Sequence, residues 1–381
     1  MTFRRRATAV LITAVVVVVV LTAVLSNRLF SGLTESVESS QFELMQSILD
    51  SGLTSAEGRA LARADMIAAL PVTRKLFAAQ DRAGLLAEFG PMFQIQKEKY
   101  GVDQGQFHVP PATSFLRLHD PATYGDDLSS FRPLVVAINR DHLARKGFAV
   151  ARSGPAIFGI VPVNDEAGNY VGSFEVGIEF GEVLDNLKAS YGLESALFIE
   201  EQPLRDFAKG VSSEILSEPN RLGKHIKFHS THWDLMQTLV KSGDLATADE
   251  PVRYTREALG VTYGVLLVPI RNNAGDPIGV VAIARDFSGS RAAARRSVVW
   301  QVTLALFAII LLSGAVLVVV RGFLLRPLGV LSDRLAALAA GDRESTMEDV
   351  ESLCDELQVL AGNFEKLKAK GEPGGKEEDG S

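Results

Sequence analysis

The sequence predicts an α+β chain: a long N-terminal helix, two similar antiparallel-sheet modules in tandem, two membrane-crossing helices and a short helical C-terminal part. Three observations carry this reading. Residues 7–25 and 298–320 are apolar runs without one charged side chain, each long enough to cross about 30 Å of hydrocarbon as a helix. A strand–turn–strand pattern between them occurs twice. Apolar residues at helical spacing flank the whole arrangement.

Arg4, Arg5 and Arg6 precede the first apolar run and only Arg28 follows closely, which puts the N-terminus in the cytoplasm. Ala23 and Ser26 make a poor cleavage site, so the segment reads as an uncleaved signal anchor. The second run is flanked by Arg291, Arg295 and Arg296 before and Arg321 and Arg326 after, and charge alone does not orient it. The first span and the length of the intervening region decide, because long domains translocate largely regardless of charge. The expected topology has residues 1–6 cytoplasmic, 7–26 and 297–320 in the membrane, 27–296 outside and 321–381 inside. Cys354, the single cysteine, then lies inside, and no disulfide supports the outer region. The net charge of −7 without a basic patch excludes nucleic acid as a partner.

After the first run, Phe30, Leu33, Val37, Leu44 and Ile48 step by three, four and seven. They predict a stalk helix over 27–70 whose narrow apolar stripe suits pairing with a second copy, or packing on its own domain. A second helix spans Asp81 to Gly101. Gly154 to Val163 and Tyr170 to Phe180 read as strands joined by the turn Asn164–Asn169, where Gly168 supplies a positive φ. Residues 264–287 repeat that layout: Pro162, Gly168, Gly172 and Phe180 correspond to Pro269, Gly275, Gly279 and Phe287 at one constant offset. Repetition at this scale means two related modules, here 71–190 and 191–296. Phe180 to Ser190 reads as a connecting helix, Ser195 to Glu200 as a strand, and Trp233 onward as a helix ended by Gly243. Beyond the second span, Leu328, Leu331, Leu335 and Leu338, then Leu357, Leu360, Phe364 and Leu367, keep the a/d spacing of a coiled coil. Residues 371–381 form a solvated tail.

The most chemically loaded passage is 107–132, FHVPPATSFLRLHDPATYGDDLSSFR. It has no sustained period and reads as an irregular wall or cap. Arg117 and Arg132 offer planar forks for a carboxylate, and Asp126 and Asp127 offer acceptors for an ammonium. Phe115 and Tyr124 offer apolar faces, and His108 and His119 stand beside them. Glu175, in the following strand, is a further candidate that alternation could turn to solvent. The alternative for each is a structural salt-bridge network, with Asp126 and Asp127 capping a helix that begins at Leu128. His225, His229 and His232 have the spacing of a helical metal triad, but HIKFHSTHW does not read as a helix, and no metal or other cofactor is expected. No phosphate loop or nucleophile elbow is present, so an enzyme is not expected.

Two resemblances add to this. HVPPATSFLRLHDPATYGDDLSSFR and the paired GIVPV…GNYVG-type hairpins resemble the double Cache sensor domains of bacterial chemoreceptors and sensor kinases. That resemblance implies two PAS-like modules, the membrane-distal one binding a small molecule. Residues 321–370 resemble a HAMP linker through Pro327, the Gly341-Asp342 helix end, Asp355-Glu356 and Ala361–Phe364. The resemblances imply a multi-pass receptor of the bacterial cell membrane, lipid-embedded and homodimeric. Its small ligand would be of amino-acid or carboxylate type. HAMP would pass the signal to an output partner in trans, in chemotaxis-like or two-component signalling. The alternatives are an accessory membrane protein that binds a periplasmic protein, a truncated sensor kinase or chemoreceptor, and a metal enzyme using the three His.

Overall fold

The computed structural model describes residues 3–272, 275–340, 358–359, 361–363 and 366. Its contacts divide it into residues 35–291, the larger unit, and a second unit of 1–34 with 292–381.

Within the larger unit, Phe42, Met45, Leu49, Ala56, Ala60, Ala64 and Ala68 are buried on one side of helix α1 (Phe3–Ala69). Steps of three, four and seven set this stripe, and its small residues let a sheet come close. At the closest point a Cβ on Gly159 would run into the α1 backbone at Ala60–Leu61, so only glycine fits there. Pro71 starts α2 (Pro71–Ala78), and α3 (Arg82–Tyr100) begins with Asp81 Oδ1 accepting from Gly84 N at 2.8 Å.

The first sheet contains β1 (Val102–Val109), β2 (Thr113–Arg117), β3 (Arg145–Ala151), β4 (Gly154–Asn164) and β5 (Tyr170–Glu179), with α4 (Pro133–Asp141) between β2 and β3. The order is β2-β1-β5-β4-β3, with every pairing antiparallel. After α5 (Phe180–Tyr191) comes a second sheet built from β6 (Glu194–Glu200), β7 (Arg221–Leu222), β8 (His225–Ser230), β9 (Val252–Ala258), β10 (Val261–Arg271) and β11 (Pro277–Asp286). Its order is β7-β8-β6-β11-β10-β9. Without the two-residue β7, this is the strand order of the first sheet. Helices α6 (Glu201–Phe207), α7 (Trp233–Leu239) and α8 (Ser242–Ala246) complete this module.

The repeat expected from the sequence is therefore the central hairpin of each sheet. Both turns close the same way. Asp165 N donates to Asn169 O and Asn272 N to Asp276 O, with Gly168 at φ 88° and Gly275 at φ 91°. Each sheet is covered on both faces. In the first, Phe107, Leu116, Phe174 and Val176 pack against α1, α2 and α3, while Phe158 and Ile160 pack against α4 and the loop before it.

Two local expectations are corrected. The expected helix at Leu128 begins at Pro133 instead. The Asp127 carboxylate accepts from Ser129 N and Oγ, holding a turn, and Pro133 sets the first helical φ. Gly243 does not end the helix that starts at Trp233. That helix stops at Leu239 because Val240 is extended, and Gly243 lies inside α8, whose entry is fixed by Lys241 N donating to Asp244 Oδ2 at 2.8 Å.

Helix α9 (Ser288–Val319) leads through a π-helical stretch, Val320–Leu325, into α10 (Arg326–Ala339). Two stretches, Ala9–Ser26 and Arg291–Gly322, are long and apolar enough to cross a membrane. Pro327 lies in the first turn of α10. Gly341, Asp355 and Glu356 lie outside the described residues.

Candidate functional site

Strand β1 places Gln104, Gln106 and His108 two residues apart, so their side chains share one face. Ser173 and Glu175 do the same on β5. The register sets His108 opposite Ser173, Gln106 opposite Glu175, and Arg117 opposite Gln106 on the other side. This is the face away from α1, beneath α4. The result is a polar cluster inside the protein: Gln104, Gln106, His108, Ser114, Arg117, Arg132, Ser173 and Glu175 are each at most 2% exposed.

At its centre is a charged trio. Arg132 NH2 donates to Glu175 Oε2 at 2.5 Å, and its guanidinium lies 4.3 Å from the Phe158 ring centroid. His108 Nε2 is 3.6 Å from Glu175 Oε1, a charge contact beyond hydrogen-bond length, while its Nδ1 is 3.3 Å from Ser173 Oγ. Burial works to raise the Glu175 pKa, but Arg132 and then His108 outweigh it and hold the carboxyl at about 2. Burial pushes His108 below the ordinary imidazole value, against the pull of Glu175.

A second pair closes the rim. Arg117 donates both terminal nitrogens to Asp126 at 2.7 Å and one of them to Thr123 O at 2.9 Å. That fork ties the loop after β2 to the edge of the sheet. Its hydrogen bonds hold the Asp126 carboxyl below the usual carboxylate range. At the other edge, Tyr170 OH donates to Asn139 Oδ1, and Asn139 Nδ2 donates to Pro111 O at 3.1 Å.

Of the residues singled out from the sequence, His108, Arg117, Arg132 and Glu175 are brought together here, with Asp126 at the rim. The others are placed elsewhere. Phe115 packs on Phe77 at 5.4 Å, on the helix side of the sheet. Tyr124 is 57% exposed, with the Arg82 guanidinium 3.7 Å from its ring centroid. Asp127 is exposed in its turn. His119 Nδ1 is 3.3 Å from Gly105 O, outside the trio, and burial lowers its pKa to about 4. Gln104, Gln106, Ser114 and Ser173 were missed. Their signal is present: polar residues at alternate positions of two otherwise apolar strands.

The three histidines of 225–232 do not converge. His225 is buried on β8, His229 Nε2 contacts Asp185 at 3.0 Å, and His232 Nδ1 is 3.9 Å from Glu194.

Four buried atoms of the polar cluster have no hydrogen-bond partner among the described residues: Arg132 Nε, Glu175 Oε1, His108 Nε2 and Gln104 Nε2. Leaving a buried donor or acceptor unmade costs about 1–3 kcal/mol each; His108 Nε2 and Glu175 Oε1 face each other at 3.6 Å without closing a bond, so the trio is a point that a polar guest would complete. The needs are of both signs. Glu175 Oε1 requires a donor, and Arg132 Nε and Gln104 Nε2 require acceptors.

Residues 38–289 match a double Cache family, described as the double sensory domain of two-component sensor kinases. No curated protein matches the sequence. Among solved structures, the chain is similar to the ligand-binding domain of the Campylobacter jejuni chemoreceptor Tlp3 in complex with L-valine. The identity is 10%, the TM-score 0.39, and 69% of this chain and 97% of that one are covered. The ligand-binding domain of the Pseudomonas fluorescens chemoreceptor CtaA in complex with L-serine gives 12% identity and a TM-score of 0.38, over 66% and 98%. At these scores neither ligand transfers to this chain.

Proposed function

The chain belongs to the double Cache sensory family, and from that premise we propose that it is a transmembrane receptor whose first module binds a small molecule carrying both donor and acceptor groups. An amino acid or a related amphoteric carboxylate fits this description. The observation that carries the reading is the set of unmet donors and acceptors around Arg132, Glu175 and His108. An ammonium would complete Glu175 Oε1, and a carboxylate would complete Arg132 Nε and Gln104 Nε2. Arg132 and Glu175 already neutralise each other, so a guest without net charge keeps the buried site balanced.

The apolar stretches Ala9–Ser26 and Arg291–Gly322 support a multi-pass chain of the bacterial cell membrane with the region between them outside. Val37 and Leu44, seven residues apart on α1 and 47% and 46% exposed, support a homodimer joined along that helix. Signal output then passes through a HAMP arrangement at 321–370 to an output protein. The ligand acts by favouring one of two arrangements of the cap and sheet.

The test is a thermal-shift screen of the full chain in lipid nanodiscs with amino acids, carboxylates, amines and purines. A ligand at a hundred times its Kd stabilises by about 2.7 kcal/mol, or roughly 5–11 °C for a unit of this size. Glu175→Gln and Arg132→Lys each remove the response to the hit. Unmoved melting curves across the screen, or variants that respond like the parent, would refute the site.

A second reading has one observation in its favour. The cluster is closed to solvent, with Glu175 and His108 at 0% exposure, as suits an accessory protein whose outer face binds another protein. Hydrogen exchange separates the two: a receptor's α4 cap must open to admit its ligand, and a purely structural cap has no such need.

A further inference from the structure

The opposite face of the first sheet holds a pocket that the polar cluster does not use. Its volume is about 280 Å3, and its walls come from α1, α3, β1 and β5. Met66, Met92, Phe93, Val102, Phe174 and Val176 make it apolar. Arg63 and Tyr100 stand at its mouth, where Arg63 NH1 donates to Tyr100 O at 3.4 Å and its guanidinium lies 5.7 Å from the Tyr100 ring centroid. Arg63 and Tyr100 also border an adjoining polar recess, with Arg59, Lys99 and Glu182. Three cations thus meet one carboxylate there, and among the described residues no carboxylate lies within ion-pair distance of Arg63. Burial, with Arg59 nearby, pulls the Arg63 pKa below the ordinary guanidinium value and outweighs the opposite pull of Glu182.

We infer that this pocket is a second small-molecule site, which takes a monoanion with a compact apolar body: the body lies against Met66, Met92 and Val176, and the carboxylate lies at Arg63. At about 280 Å3 the pocket lies at the small end of ligand sites, so a small guest such as an arylacetate or a medium-chain carboxylate suits it. A carboxylate at Arg63 receives a charge-assisted fork. The site is independent of the one under α4, but strand β5 serves both. Phe174 and Val176 wall this pocket, and Glu175 between them faces the other way. A guest here bears on the strand that carries the centre of the polar cluster.

The experiment uses methyl-labelled methionine NMR on the full chain in nanodiscs, with phenylacetate as the probe. Met66 and Met92 report the pocket, and Met236 in the other module is the control. Phenylacetate is expected to shift the Met66 and Met92 signals saturably and to leave Met236 in place. Uncharged 2-phenylethanol and cationic phenethylamine should bind at least tenfold more weakly. Arg63→Gln should reduce phenylacetate to the level of 2-phenylethanol. Met66→Trp, at a position 71% exposed where the larger side chain is tolerated, should fill the pocket and abolish the shift. The proposal is overturned if neither methionine moves at millimolar probe, if all three probes bind alike, or if Met66→Cys cross-links two copies over a pocket that takes no probe.

Discussion

Removing one partner of the Arg132–Glu175 pair should do more harm than removing both. The pair is fully buried, and its Nη–Oε2 distance is 2.5 Å. Arg132→Met leaves the Glu175 carboxylate with only His108 at 3.6 Å. Glu175→Leu leaves a guanidinium over Phe158 with nothing to accept its hydrogens. Breaking a buried pair from one side costs about 3–5 kcal/mol. For a unit of about 250 residues each kcal/mol moves Tm by roughly 2–4 °C, so either single variant should melt about 6–20 °C below the parent. The double variant replaces the pair by apolar groups of similar bulk, an exchange that is often neutral. It should recover at least half of the loss, giving a coupling well above the additive expectation. The assay is a thermal melt of the four proteins in nanodiscs, followed by near-ultraviolet circular dichroism. Single-variant shifts under about 2 °C, or a double variant equal to the sum of the singles, would refute the view that this pair is an isolated buried charge couple.

Acid should weaken the sensory unit in two stages. His108 and His119 have folded pKa values held down by burial, His119 at about 4. The unfolded chain therefore binds their protons first, and stability falls as pH drops from about 6.5 toward 4. Glu175 is depressed to about 2. Its contribution is complete above the unfolded value near 4.5 and is lost as pH falls from there toward 2, worth roughly 3 kcal/mol. Melts from pH 8 to pH 2 check both stages, and His119→Asn should flatten the upper one. Phe131 and Phe207 stack at 5.0 Å and 9°, which ties the residue before Arg132 to α6 of the second module. Phe131→Ala and Phe207→Ala should couple by about 0.5–1.5 kcal/mol in a double-mutant cycle, read by the same melts, and each should blunt the response of the second module's amides to a first-module ligand in hydrogen exchange.

The two hairpins were legible because each pairs apolar runs around a polar turn that ends in glycine, and that chemistry is local. The face of each strand was harder to read. In β5 every residue from Gly172 to Ile178 is buried, so apolar alternation carries no information, and Glu175 could not be assigned to solvent or interior from its neighbours. Only the polar residues alternate, Ser173 with Glu175 and Gln104 with Gln106 and His108. Within 107–132, composition marked the wall but not its sides. Phe115 and Arg117 lie two residues apart in sequence, yet an irregular register between Phe107 and His108 leaves them on opposite faces. Tyr124 and Asp127 lie in turns whose geometry depends on Arg82 and Ser129. Gly243 failed as a helix stop because the chain had already left the helix at Val240.

Near its two ends the sensory unit closes on itself. Arg291 Nε donates to Glu38 Oε1 at 2.7 Å, and Phe42 meets Phe287 edge-on at 5.2 Å. A unit whose entry and exit touch can be spliced into another chain without separating that chain's own ends. This one is therefore a portable cassette: joined at Glu38 and Arg291, it should graft onto unrelated helical hosts and keep its shape. The same closure limits what it can transmit to a host. A message to the host would leave through the two helix stretches that this clasp holds side by side.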